Sequence, residues 1–183
     1  MALFDAFLKL DGIKGESADA KHKGEIDIMS FSWGVSQTGV QATGGGGGAG
    51  KVSFQDLHIV KKTDASSPLL MLNCANGAHI KEGNFVVRKA GGTQLEYLKI
   101  KLTDVLISSY KPHGMEAGDD WEDKDTPAAD DWLAAGLADA IPSEQFSLNF
   151  AKIEYNYQPQ GADGKAQGGP VLAGWDVKAN QKV

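Results

Sequence analysis

The residues from Gly44 to Lys51 come closest to a known chemical motif in this sequence. Gly45, Gly50 and Lys51 match three fixed positions of a phosphate-binding loop. The next residue is Val52, where that motif needs a hydroxyl for magnesium, and the following residues alternate like a strand instead of opening a helix. The segment therefore predicts a glycine-rich extended loop over 41–51 and no nucleotide site.

Histidine, serine and cysteine are not arranged for catalysis or for metal binding. No G-x-S-x-G pattern occurs, and the single cysteine, Cys74, cannot form an intrachain disulfide. The four histidines are far apart in the sequence, without metal-site spacing or an accompanying cysteine cluster. They are His22, His58, His79 and His113. We therefore expect no catalytic residues, no metal and no cofactor, and we predict that the protein is not an enzyme.

An acidic insertion loop is predicted over 113–142. It holds nine carboxylates and one lysine, Lys124. A calcium loop of the EF-hand type starting at Asp119 would need glycine at its sixth position and glutamate at its twelfth, which hold Lys124 and Asp130. The stretch therefore predicts a solvated loop, with a possible short helix over about 127–140.

Length and composition indicate one domain over residues 1–183. The apolar content is 42% and the net charge is −6 at pH 7. A bilayer-spanning helix needs about 20 apolar residues, and no run approaches that length. A nucleic-acid binder needs a basic surface, which an acidic chain does not indicate. The N-terminus lacks a basic leader, so we expect synthesis in the cytoplasm without a signal peptide.

Period-two alternation of apolar residues repeats along the chain and predicts antiparallel strands with one buried face. In three of these segments the alternation slips by one residue, which is typical of β-bulges and of bent strands. The pattern predicts a mainly β fold, a two-sheet β-barrel of bulged antiparallel strands. The predicted strands are Phe4 to Leu10, Glu25 to Val35, Val52 to Ile59, Ile80 to Lys89, Leu95 to Tyr110, Phe146 to Tyr157 and Pro170 to Val177.

One flanking helix is predicted over about 67–76. Ser67 can cap its start, Pro68 suits its first turn, and Gly77 can adopt the left-handed conformation that ends it.

The two faces of the second predicted strand differ in chemistry. Phe31 and Trp33 take the inward phase, so Ser30, Ser32 and Gly34 point to the other face. A face of small polar residues is ordinarily wet surface. If copies of the chain close into a ring, however, part of that face becomes the wall of the central hole.

Seven groups of residues along nearly the whole chain match one known family in order and spacing. They are 14–17; Ser32-Trp33-Gly34-Val35; 44–52 with 55–57; Ser67-Pro68 with 77–80; 87–92; 146–160; and 169–175. Together they resemble the haemolysin-coregulated protein (Hcp) family, the tube subunits of the bacterial type VI secretion system.

This resemblance implies a homohexameric ring with a wide hole, stacked rings forming a tube inside a contractile sheath, and expulsion of that tube from the cell. It also implies contact with a VgrG-type spike and carriage of small effector proteins in the lumen. We then expect lumen contacts at Ser30, Ser32 and Gly34. The stacking loop would contain Gly44, Gly45, Gly46, Gly47, Gly48, Gly50 and Lys51. The acidic stretch 115–141 is longer than the family pattern implies.

The alternative is a monomeric barrel that binds a small ligand in its interior. Seven bulky residues on the inward phase can fill a small barrel and leave little room for a ligand. They are Phe31, Trp33, Phe54, Leu57, Phe146, Leu148 and Phe150.

Overall fold

Strands make up most of what the computed structural model describes, which is residues 4–37, 52–89, 95–114, 141–161 and 164–183. The strands are β1 (Phe4–Leu10), β2 (Ile26–Ile28), β3 (Ser30–Ser32), β4 (Val35–Gln37), β5 (Val52–Phe54), β6 (Leu57–Lys62), β7 (His79–Lys89), β8 (Glu96–His113), β9 (Ser143–Tyr157), β10 (Val171–Asp176) and β11 (Gln181–Lys182). Helix α1 (Ser67–Asn76) lies between β6 and β7. The prediction of a mainly β fold with one flanking helix is confirmed.

The two longest strands join the two halves of the main sheet. One half runs in the order β11-β10-β9-β8-β7-β1-β2. Strand β9 also pairs with β6 through its first six residues, 143–148, and β6 in turn pairs with β3. Strands β4 and β5 form a separate two-stranded ribbon.

The sheets do not close into a barrel, so that part of the prediction is wrong. Strand β2 pairs with β1 whereas β3 pairs with β6, and the chain passes from one to the other at a bend at Met29. The backbone N–H of Met29 donates to the carbonyl of Val60 at 2.9 Å. The chain therefore passes between the two halves of the main sheet at Met29 through a bend, and β2 and β3 do not pair with each other.

Two of the three predicted slips are changes of neighbouring strand, and the second is a bulge, as predicted. One falls at Met29. The second falls at Gln55 and Asp56: Phe54 pairs with Val35 and His58 with Ser32, so three residues lie opposite two. The third lies near Ala151 in continuous β9, where the neighbour changes from β6 to β10. Register shifts occur at two places in the described ladders, between Val87 and Arg88 and in β8 between 107 and 109.

The core is formed by inward residues of both halves together with Leu70 of α1. Of the seven residues predicted to fill the interior, four are buried and three are half-buried against the core. Leu57, Phe146, Leu148 and Phe150 are buried, and Phe31, Trp33 and Phe54 are partly buried.

Ser67 was predicted to cap the helix from the position that precedes it. Helix α1 instead begins at Ser67, and the preceding residue is Ser66. Gly77 ends the helix in the left-handed conformation at φ 63°, as predicted, and its N–H donates to the carbonyl of Asn73.

Candidate assembly surfaces

Four strand segments lie side by side and form what we call the four-strand wall: β3, β6, residues 143–148 of β9 and residues 107–113 of β8. Their register places Ser32 opposite His58, His58 opposite Ser147, and Ser147 opposite Ser109. Directly paired residues share one face of a sheet. We call these four residues the serine row. Ser32, His58 and Ser109 are exposed, whereas Ser147 is only 2% exposed.

A bulge in β8 packs the serine row tightly at one end. Ser108 and Ser109 both lie opposite Ser147, because β8 has one extra residue there. Both hydroxyls contact the Ser147 hydroxyl, which is 2.9 Å from that of Ser108. The Asp56 carboxylate accepts hydrogen bonds from Ser108 and from the Asn149 amide, the latter at 2.8 Å. The row is therefore a pre-ordered hydrogen-bonding surface.

The predicted lumen residues are only partly brought together. Ser32 is exposed in the serine row, and Ser30 is half-buried on the same face, opposite Val60. Gly34 lies beyond the end of β3, where its carbonyl accepts from the N–H of Gln55 at 2.8 Å. A Cβ at Gly34 would lie 2.7 Å from the Gln55 side-chain oxygen, a contact that the flexible Gln55 side chain can relieve by moving.

Sequence reasoning missed the other members of the row. His58, Ser109 and Ser147 each lie at a polar position of a strand in which polar and apolar residues alternate. This alternation could have identified them as outward-pointing residues. Their alignment depends on strand pairing, which the pattern does not give.

Two predicted segments lie outside the described residues. They are the glycine-rich loop, including Gly44 to Lys51, and residues 115–140 of the acidic insertion with its possible helix.

A buried ionic cluster fixes α1 against the end of the wall. We call Lys61, Asp64, Ser67, Tyr110 and Glu144 the lysine cluster. The Lys61 ammonium lies 2.7 Å from carboxylate oxygens of both Asp64 and Glu144, and Lys61 and Glu144 are fully buried. Glu144 also accepts from the Ser67 hydroxyl at 2.9 Å and from the Tyr110 hydroxyl at 2.8 Å. Burial, followed by the bond to Glu144, raises the pKa of Tyr110 to about 12.

A second ionic group fixes the chain between β1 and β2. Arg88 is 4% exposed, donates to Asp5 at 3.0 Å and to Asp19, and lies over the Phe7 ring. The hydrogen bond from Arg88 lowers the pKa of Asp19 to about 2. Gly15 in this segment packs so closely that an added Cβ would collide with the backbone of Glu25. These contacts shape the 14–17 segment.

Exposed apolar side chains of the described residues include three groups and, apart from them, Ile141, Tyr157 and Val183. Leu69, Met71 and Leu72 lie on α1, Met29 and Val35 flank β3, and Val171 and Leu172 lie on β10. A groove of 430 Å³ crosses the sheet from β7 to β10 and is lined in part by Val86, Tyr155, Leu172 and Val183. Buried side chains such as Phe146 and Leu148 fill the interior that a ligand-binding barrel would keep open.

The described ranges show neither a metal-binding cluster nor a membrane-spanning helix. They contain no group of three or more His, Cys, Asp or Glu side chains placed to hold a metal ion. Within the same ranges, no helix has both the length and the apolar character needed to traverse a bilayer.

Comparison with known proteins gives a consistent result. Residues 7–157 match the family described as "Type VI secretion system effector, Hcp". The protein hcp1 of Pseudomonas aeruginosa is 44% identical over 177 residues, covering 96% of each chain. The crystal structure of Hcp1 from Salmonella typhimurium has a TM-score of 0.74 at 34% identity, covering 100% of both chains. A type VI secretion system effector from Yersinia pestis has a TM-score of 0.66 at 33% identity, covering 94% of this chain and 100% of that one.

Proposed function

The chain belongs to the Hcp family of the type VI secretion system, and we propose that six copies close into a ring whose hole is lined by the serine row. It is a tube subunit of that system, and its rings stack into the expelled tube. The observation that supports the ring lumen is the alignment of the exposed residues Ser32, His58 and Ser109 on one side of the wall, with the buried Ser147 between His58 and Ser109.

The chemistry of the row suits the inside of a transport tube. Small hydroxyl groups keep water on the wall and leave room for cargo, while they offer donors and acceptors to any protein surface. Asp56 is engaged by Ser108 and Asn149, so the carboxylate beside the row already has hydrogen-bond partners. A wall of this kind retains cargo through many weak, reversible contacts.

The proposed partners follow from membership of the family. They are other copies of the chain in the ring and in neighbouring rings, the contractile sheath, a VgrG-type spike, and small effector proteins held in the lumen. We propose that the glycine-rich loop, 41–51, contributes to ring stacking. The role is mechanical and requires no catalysis, no nucleic acid and no membrane insertion.

The path of the protein follows from the same role. Hcp proteins are secreted through the type VI apparatus. We propose that this chain assembles in the cytoplasm and leaves the cell through the apparatus.

Light scattering after size-exclusion chromatography tests the ring. One copy has a mass of 19.4 kDa, and six times 19.4 kDa is 116.4 kDa. We expect the larger mass, with annular particles in negative-stain images. Particles that remain at the mass of one copy at high concentration and in varied buffers would contradict the proposal.

Substitution of Ser32 by Glu tests the lumen. Because Ser32 is exposed on the row, the variant should keep the ring mass while a bulky charge reduces effector co-purification. Ala179→Glu, in an exposed turn outside the wall, is the matched control and should retain effectors. If both variants retain effectors equally, the proposal that the serine row lines the lumen is wrong.

A further inference from the structure

Helix α1 presents apolar side chains to solvent on a segment without charge. Its sequence from Ser67 to Asn76 has no charged residue, although 23% of the whole chain is charged. Leu70 is fully buried, whereas Leu69, Met71 and Leu72 are 39%, 50% and 50% exposed. A helix that is apolar on several sides is normally covered on all of them. The exposed side of α1 therefore indicates a contact with another protein surface.

The position of α1 is fixed at one edge of the four-strand wall. It packs along β8, and the ladder between β7 and β8 begins only at the pair His79 and Leu106. Residues 107–113 of β8 therefore do not pair with β7. Helix α1 lies beside β8 instead. The lysine cluster ties Ser67 to Glu144, so the helix is presented as a rigid element.

The opposite edge of the same wall is also uncharged and partly apolar. This edge is β3, and residues 29–37 carry no charged side chain. Met29 is 41% exposed and Val35 is 54% exposed. Uncharged surfaces rich in apolar side chains and methionine are typical of the centre of a protein interface. The two edges thus match in chemistry and lie on opposite sides of one sheet.

We propose that the exposed side of α1 in one copy docks against the β3 edge, at Met29 and Val35, of the next copy. This proposal rests on the proposed function and names the contact that closes the ring. Because the two surfaces differ and lie at opposite edges, the contact is heterologous: each copy uses one edge for each neighbour. A constant rotation from copy to copy then closes the assembly and keeps every serine row on the inside.

Two variants, each lacking one of the two surfaces, test the contact. Leu72→Asp removes the helix surface, and Val35→Asp removes the strand-edge surface. Both side chains are exposed, so thermal unfolding should match that of the unmodified chain. Each variant alone should stay at 19.4 kDa. A mixture retains one intact surface of each kind, so it should form pairs of twice 19.4 kDa, or 38.8 kDa, and nothing larger.

Leu172→Asp is the matched control, because Leu172 is 67% exposed on β10 and belongs to neither edge. It should form rings. Rings formed by either edge variant alone would overturn this contact while leaving the ring proposal intact. Pairs formed by Val35→Asp alone would indicate that two α1 surfaces meet each other, and would also overturn it. If the unmodified chain itself stays at one copy, the ring proposal fails and this contact fails with it.

If an aspartate variant unfolds, Leu72→Ser and Val35→Ser replace it. Each should raise the protein concentration needed for half-assembly at least about tenfold, because an apolar contact at the centre of an interface is lost. An unchanged concentration in both serine variants overturns the contact.

Discussion

Two adjacent rows across the four-strand wall have opposite chemistry. The serine row is Ser32, His58, Ser147 and Ser109, and one residue along each strand lies the inner row of Phe31, Ile59, Phe146 and Tyr110. The inner row packs in or against the core, whereas Ser32, His58 and Ser109 are exposed. Alternation along a strand thus separates stability from surface function by a single residue. Substitutions in the inner row should change folding, and substitutions in the serine row should change what the surface binds.

Phe146→Ala should produce the largest effect. Phe146 is 1% exposed and pairs with Ile59 in the inner row. Removing its ring loses buried apolar area and leaves a cavity, which should lower the free energy of unfolding by about 4 kcal/mol. Chemical denaturation followed by circular dichroism measures this loss. A loss below about 1 kcal/mol would mean that the inner row does not support the fold.

Lys61→Met should be nearly as damaging, although it makes the protein interior less polar. The ammonium of Lys61 forms ion pairs with the carboxylates of both Asp64 and Glu144, and Glu144 is fully buried. Removing one partner leaves buried charge uncompensated and should cost about 3 kcal/mol of unfolding free energy. Lys62→Met is the control, because the next residue points to the other face and is partly exposed; its cost should stay below about 1 kcal/mol. If the two variants lose the same free energy of unfolding, the two faces of this strand do not differ in their contribution to stability.

The sequence was sufficient for the parts of the fold that depend on local pattern. Alternation located most of the strands, and Pro68 with Gly77 located α1 within a residue of its ends. The same alternation could not distinguish a bulge from a change of neighbouring strand, because both shift the buried phase by one residue. The chain bend at Met29 was therefore interpreted as a bulge within a closed barrel.

The candidate site was harder to predict for a physical reason. Ser32 was found from the phase of its own strand, but its partners in the row depend on pairing between strands far apart in the sequence. The lysine cluster was missed altogether, because Lys61 and Glu144 have charged side chains that alone indicate exposure. Their burial is explained by the ion pair between Lys61 and Glu144, which forms only in the folded chain.

Tyr110→Phe should give an intermediate effect that depends on pH. The hydroxyl donates to Glu144 at 2.8 Å, and its loss should cost about 1 kcal/mol near neutral pH. The folded pKa of Tyr110 is raised from 10.0 to about 12, so its contribution is complete below pH 10 and is lost as the pH rises towards 12. Unfolding curves of the two proteins should therefore converge over this range. A difference that stays constant from pH 8 to pH 12 would show that Tyr110 is not the group responsible.

His58→Ala should have the smallest effect on stability and is the sharpest test of the two rows. His58 lies between Ser32 and Ser147, is exposed, and is adjacent in sequence to Ile59, which is fully buried. Since exposed side chains away from special features contribute little, the free energy of unfolding should change by less than about 0.5 kcal/mol. The ring mass should also stay the same, while effector co-purification falls because a donor and acceptor at the centre of the row is lost. Ile59→Ala should do the reverse, lowering stability by about 3 kcal/mol without changing the surface that cargo meets. If His58→Ala destabilises the chain as much as Ile59→Ala, the serine row is a structural element, and separation of the two roles by one residue is wrong.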